Sequence, residues 1–158
     1  MTKFYLCVVM TFGMAYTLFA NQYPISSIPP ALRENANSVI RLEEELIVIP
    51  DQRTKYLKRK RVVSVLNSNG EGAVAAFMHY DPKTQIKNIG AIIYDAKGQE
   101  VKRYKKRDFR DVSAVDGISI FTDSRVLYLD HTTSSYPYTI EFFAEVETSN
   151  TAFLGSWW

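Results

Sequence analysis

Cysteine is nearly missing from this 158-residue chain. Its single copy, Cys7, lies in an apolar run at the N-terminus, so a chain beginning at Asn21 has none. Disulfides, thiolate metal sites and cysteine nucleophiles are then excluded. Histidine is almost as scarce: His79 and His131 share no metal-ligand spacing such as H-x-x-x-H. Both read as structural or surface residues. The serines fall in neither G-x-S-x-G nor S-x-x-K, and no linear motif supports a triad of a serine with Asp130 and His131. Seven glycines and six prolines are too few for a low-complexity or disordered chain. No repeat recurs at solenoid or propeller period. No stretch of ten residues after Ala36 carries a helical period. Charge is nearly balanced, at a formal +2.

The first twenty residues have the pattern of a secretory signal peptide. Lys3 supplies a charge, an uncharged apolar run follows, and Ala20 precedes Asn21-Gln22. This reading expects cleavage after Ala20 and a periplasmic or envelope location. The alternative is an uncleaved anchor, for which the run is short. Residues 21–37 form a lead-in in which Pro30 can open a short helical turn.

From Ser38 onward the pattern is β. "VIRLEEELIVI" alternates Ile40, Leu42, Leu46 and Val48, with Glu44 the exception, and "KYLKRKRVVSVLN" is extended. "SNGEG" holds an Asn-Gly turn signal. "AVAAFMHYD" and "TQIKNIGAIIYD" read as strands joined by "DPKT", a type I turn with proline second. "DAKG" predicts a hairpin between 86–94 and 100–105, closed by Gly98 in the left-handed conformation. "KRDFRDVSAVDGIS" reads as a loop, and "SIFTDSRVLYLD" as one or two strands. The spacing of Asp108, Asp111 and Asp116 misses the calcium-loop pattern, so no metal or cofactor is expected. The last readable strand places Tyr138, Ile140, Phe142, Ala144 and Val146 on one face. Short strands with frequent turn signals predict an all-β, antiparallel sandwich over 38–158.

Two basic runs, 53–61 and 102–110, hold twelve of the nineteen Lys and Arg residues. The patch they suggest comprises Lys58, Arg59, Lys60, Arg61, Lys105, Lys106 and Arg107. Alternation turns these charges outward, as solvated guards of sheet edges. An anionic glycan or lipid surface is the other reading, and export argues against nucleic acid.

"IRLEEELIVIP", "VVSVLNSNGE", "YDAKG", "DVSAVDG", "FTDSRVLYLD" and "SSYPYTIEFFAEVETSNTAFLGSWW" together resemble a domain-of-unknown-function family of exported Bacteroidetes-type proteins, matching from roughly Ala31 to Trp158. In that family the β-rich domain precedes a transglutaminase-like, papain-fold domain, and further strands follow the "N-T-x-F-L-x-x-W" segment. The resemblance implies that the chain is the N-terminal part of such a domain and a sandwich incomplete at its C-terminus. Tyr138, Ile140, Phe142, Val146, Phe153, Trp157 and Trp158 would then be uncovered and form an interaction surface. The implied role is a non-catalytic scaffold or recognition module. Its partners would be the missing C-terminal part, the transglutaminase-like domain, or an envelope glycan or peptide. The alternative is an enzyme fragment that supplies one wall of a transglutaminase- or protease-like cleft, with the Cys, His and Asp machinery elsewhere.

Overall fold

Stretches rich in valine, isoleucine and tyrosine, punctuated by Asp-Pro and Gly turns, make a chain of strands. The computed structural model describes residues 22–114, 123–133 and 135–152. Among them are β1 (Ser38–Asp51), β2 (Thr54–Val65), β3 (Phe77–Tyr80), β4 (Thr84–Tyr94), β5 (Glu100–Lys105), β6 (Arg110–Ser113), β7 (Arg125–Tyr128) and β8 (Tyr138–Thr148). They form two antiparallel sheets. One has five strands in the order β1-β2-β8-β4-β5, and the other three in the order β3-β7-β6. The fold is an all-β sandwich.

The β4–β5 hairpin pairs Gly90 with Lys105 and Tyr94 with Glu100, as the "DAKG" turn predicts. Gly98 has φ +84°, and its amide closes on the Asp95 carbonyl at 2.9 Å. Asp95 Oδ1 accepts the amides of Lys97 and Gln99, both at 2.9 Å. The turn also receives the lead-in: the Gln22 amide donates to the Gly98 carbonyl and that of Ile25 to the Ala96 carbonyl, each at 3.0 Å. A Cβ at position 98 would stand 2.5 Å from the Gln22 carbonyl oxygen, so glycine is required there twice over.

Two segments differ from their sequence reading. "SNGEG" is no hairpin turn but part of a 3-10 helix, Ser68–Ala73, begun by the Asn67 side chain accepting from the Asn69 amide. It takes up Ala73, and the strand expected from there starts only at Phe77. The segment read as a loop contains a 3-10 turn, Lys106–Asp108, and then β6, which pairs with β7 from Arg110↔Tyr128 to Ser113↔Arg125.

The small sheet is what covers the large one. Tyr138, Ile140, Phe142 and Val146, expected to be uncovered, are buried with Ala144 in the main core. They pack with Val63, Ile89 and Ile93 from their own sheet, and with Met78, Leu127 and Phe109 from the opposite layer. The Phe109 ring lies 6.3 Å from that of Phe142, centroid to centroid. Their proposed role as an exposed surface is therefore corrected: β6 and its flanking turn, unrecognised in the sequence, complete the covering layer. Phe153, Trp157 and Trp158 lie outside the described residues.

The other face of the large sheet has its own cover. The lead-in, with a 3-10 turn at Ile25–Ser27 and a helical turn at Pro30–Arg33, places Ile25 and Ile28 in a minor core that also buries Val62 and Ile92. Beneath it the Ser64 and Thr139 hydroxyls meet at 2.7 Å, so two polar side chains with no measurable exposure satisfy each other.

Candidate functional site

The first basic run lies on β2, which is not an edge but sits between β1 and β8. Its charges are matched to both neighbours. Around the Asp51–Thr54 turn, the register sets Glu43 opposite Arg61, Glu44 opposite Lys60 and Glu45 opposite Arg59. Glu43 binds both Arg61 and, at 3.2 Å, Arg59. Partial burial works against its charge, yet the two guanidiniums hold its carboxyl below the usual range. On the opposite face Lys58 reaches Glu145 at 3.1 Å and Lys60 reaches Glu141 at 2.8 Å. The hydrogen bond to Glu141 raises the Lys60 ammonium. Arg61 also donates to the Ala73 carbonyl.

The second run is more scattered. Lys106 donates to the Ile86 carbonyl, and Arg107 is highly exposed, with only a 3.9 Å approach to Asp108. Lys105 is on β5, an edge of the large sheet, where the expected guard role fits its position. For Lys58, Arg59, Lys60 and Arg61 the edge-guard reading is corrected: they are the positive half of a cross-strand charge ladder.

A cluster that sequence reasoning passed over closes one end of the core. Four separate segments supply it: the Ser68–Ala73 turn, β5, the stretch after β7, and the start of β8. Glu71 accepts from the Tyr136 hydroxyl at 2.7 Å and from the Tyr138 hydroxyl at 2.8 Å. The Tyr104 hydroxyl and His131 Nδ1 lie 2.9 Å apart. His131 stacks edge-on against both Tyr104 and Tyr138, and Lys102 Nζ sits 4.6 Å from the Tyr104 ring centroid. Burial pushes the His131 imidazole below its ordinary range; Glu71 opposes this and Lys102 adds to it. Burial and the bond to Glu71 push the Tyr138 phenol far up. His131 Nε2 is buried with no partner among the described residues. Alternating aromatics in "SSYPYT" were the one linear signal.

A third group lies on the small sheet. Asp111 accepts from the Tyr80 hydroxyl at 2.7 Å and from Arg125 Nε at 2.9 Å. These contacts hold its carboxyl below the usual range, the tyrosine bond foremost. Asp111 thus joins three strands rather than a calcium loop. Asp108 caps the turn before β6, accepting from the Lys105 amide, and Asp116 lies outside the described residues. Among the described residues no group of three metal-ligating side chains forms. His79 faces outward on β3, its ring against Phe77.

The far end of the β1–β2 hairpin is the open part of the molecule. Leu46, Val48, Ile49 and Tyr56 are exposed there. A shallow cleft of about 470 Å³ runs beside them, bounded by Leu46, Lys58, Lys60, Phe143 and Glu145.

Residues 51–158 match the model of DUF3857, a domain of unknown function with a solved structure. The chain belongs to the DUF3857 family. The match begins at the β1–β2 turn, later than the Ala31 start read from the motifs. No curated protein matches this DUF3857 chain. Among solved structures, a candidate protease from Parabacteroides distasonis is similar, with a TM-score of 0.58 at 12% identity over 75% of this chain. The likeness covers 24% of that protein, and at this identity it concerns the fold.

Proposed function

We propose that this DUF3857 chain is an exported, non-catalytic β-sandwich module that acts as a scaffold or recognition domain ahead of a transglutaminase-like domain. The observation that carries the reading is where the chain spends its reactive side chains. His131 Nδ1 is engaged by Tyr104, and Glu71 by two tyrosine hydroxyls, all at the joint between strand ends. A general base must reach the proton it abstracts from substrate. Here both groups are committed to holding separate segments together. The fold likeness to about a quarter of a much longer candidate protease supports a module within a multidomain protein.

The test is turnover. The purified chain is incubated with peptide, ester and glutamine-amide substrates, with and without iodoacetamide. Background rates are expected in every case. Turnover that copurifies with the chain and is lost in His131→Ala would overturn the reading. Export is tested separately by N-terminal sequencing of envelope material, expected to begin at Asn21; a full-length cytoplasmic product would refute it.

A further inference from the structure

β1 is a sheet edge of unusual character. It pairs with β2 on one side, and among the described residues no strand pairs with the other. It has 14 residues and, after an irregularity between Ile40 and Leu42, keeps unbroken register from Leu42 to Val48. Natural edges are usually short, interrupted or guarded by lysine or proline, because unpaired backbone groups template another strand. Within that run β1 has neither guard. Instead, five of the eight exposed large apolar side chains among the described residues lie on it or beside it: Ile40, Leu46, Val48, Ile49 and Tyr56.

Its charges select what could add. Glu43 is taken by Arg59 and Arg61, whereas Glu44 and Glu45 are exposed and hold no ion pair among the described residues. A second copy pairing antiparallel through its own β1 about Glu44 would set Glu43 and Glu45 against Glu45 and Glu43. Like charges directly opposite are destabilising. Lysines at the same positions would be matched, and branched apolar residues would meet Leu46 and Val48.

We infer that the free edge of β1 takes up an extended basic-and-apolar segment of a partner protein as an added strand, with backbone pairing along residues 43–48, cations opposite Glu44 and Glu45, and apolar side chains opposite Leu46 and Val48. This is β-augmentation, in which the backbone supplies affinity and alternate side chains supply selectivity. The paired stretch is roughly 20 Å long. The inference rests on the recognition-module reading and names the chemistry of its partner.

The probe is a fluorescein-labelled peptide, Ser-Val-Val-Val-Lys-Lys-Thr-Ser, titrated with the full chain and followed by anisotropy. Saturable binding is expected. Binding should be lost when alternate peptide amides are N-methylated. The exposed-site double variant Glu44→Lys/Glu45→Lys, verified as folded by circular dichroism, should bind about tenfold more weakly. It should prefer a peptide with glutamates in place of the lysines. Absence of saturable binding, indifference to N-methylation, or unchanged affinity in the double variant would overturn the inference. So would self-association of the chain that the double variant abolishes, since the occupant would then be a second copy. Cleavage of the peptide, read by mass spectrometry, would overturn the non-catalytic reading and leave this inference standing.

Discussion

β2 and β8 run side by side through two different environments. From Val62 to Val65 and from Tyr138 to Phe142, the small sheet covers one face and the lead-in the other. From Thr54 to Arg61 and from Glu145 to Thr148, the cover thins and the outer face opens. The sequence of β2 changes where the environment changes, from "KRKR" to "VVSV". Where both faces are covered, the side chains are apolar apart from the mutually bonded Ser64 and Thr139, the Tyr138 hydroxyl on Glu71, and Glu141, which Lys60 and the Tyr94 hydroxyl hold; an unpaired charge there would be costly. Where cover thins, the sheet is stitched by ion pairs between neighbouring strands. One strand can thus be core at one end and surface at the other, without a break in register.

The sharpest test of this contrast is truncation at each end. Phe142→Ala, at a fully buried position, should cost about 3–5 kcal/mol in urea unfolding. Leu46→Ala on the open hairpin should stay within about 0.5 kcal/mol. Equal losses would erase the distinction between the two ends. Next in size is Gly90→Ala. A Cβ there would lie 2.6 Å from the Phe143 ring and 2.8 Å from the Tyr104 carbonyl oxygen, so a loss of about 1–3 kcal/mol is expected from overpacking. Gly72, with nothing within 4 Å, is the control and should tolerate alanine far better.

Glu71→Ala should cost about 1–3 kcal/mol, because it strands the Tyr138 hydroxyl in a buried site. Adding Tyr138→Phe should recover part of that loss, and a strictly additive double mutant would show that the bond is not stabilising. A pH titration addresses the same end of the core. Burial first, with Lys102 assisting and Glu71 opposing, holds the His131 imidazole below its ordinary value of 6.5. The unfolded chain therefore binds the proton more readily. The contribution of His131 is fully present above pH 6.5 and is lost as pH falls through the folded-state value. His131→Gln should flatten that slope in unfolding free energy. Among the polar pairs the smallest effect belongs to the exposed ladder: Lys58→Ala, breaking the pair with Glu145, should cost no more than about 1 kcal/mol and less in high salt.

Much of the large sheet was legible because its signals are local. The "DAKG" turn and the alternation of β8 specify the β4–β5 hairpin and the inner face without reference to distant residues. Charge pairing was legible in principle. Glu43-Glu44-Glu45 and Arg59-Lys60-Arg61 stand at distances from the Asp51–Thr54 turn that differ only by the register shift between Val48 and Asp51, so a hairpin reading brings them close together. β6 was not legible: all four of its residues are exposed, and "RDVS" carries no apolar rhythm. The register shift after Ile40 was equally hidden, and it sends Ile40 and Leu42 to opposite faces of a strand that reads as regular. The Glu71 cluster draws on positions 71, 104, 131, 136 and 138. No spacing in the chain announces such a meeting, which depends on how both sheets close.

The double cover over the start of β8 makes that strand a clock. Residues 139–141 have a strand on either side, the main core beneath and the lead-in above. Their amides have no local route to solvent, so deuterium enters them only when the whole sandwich opens. Near Glu145–Thr148 the outer cover is gone, and deuterium should arrive through local opening, sooner and with weaker dependence on denaturant. Read along one strand, the isotope then separates the lifetime of the fold from the breathing of its open end.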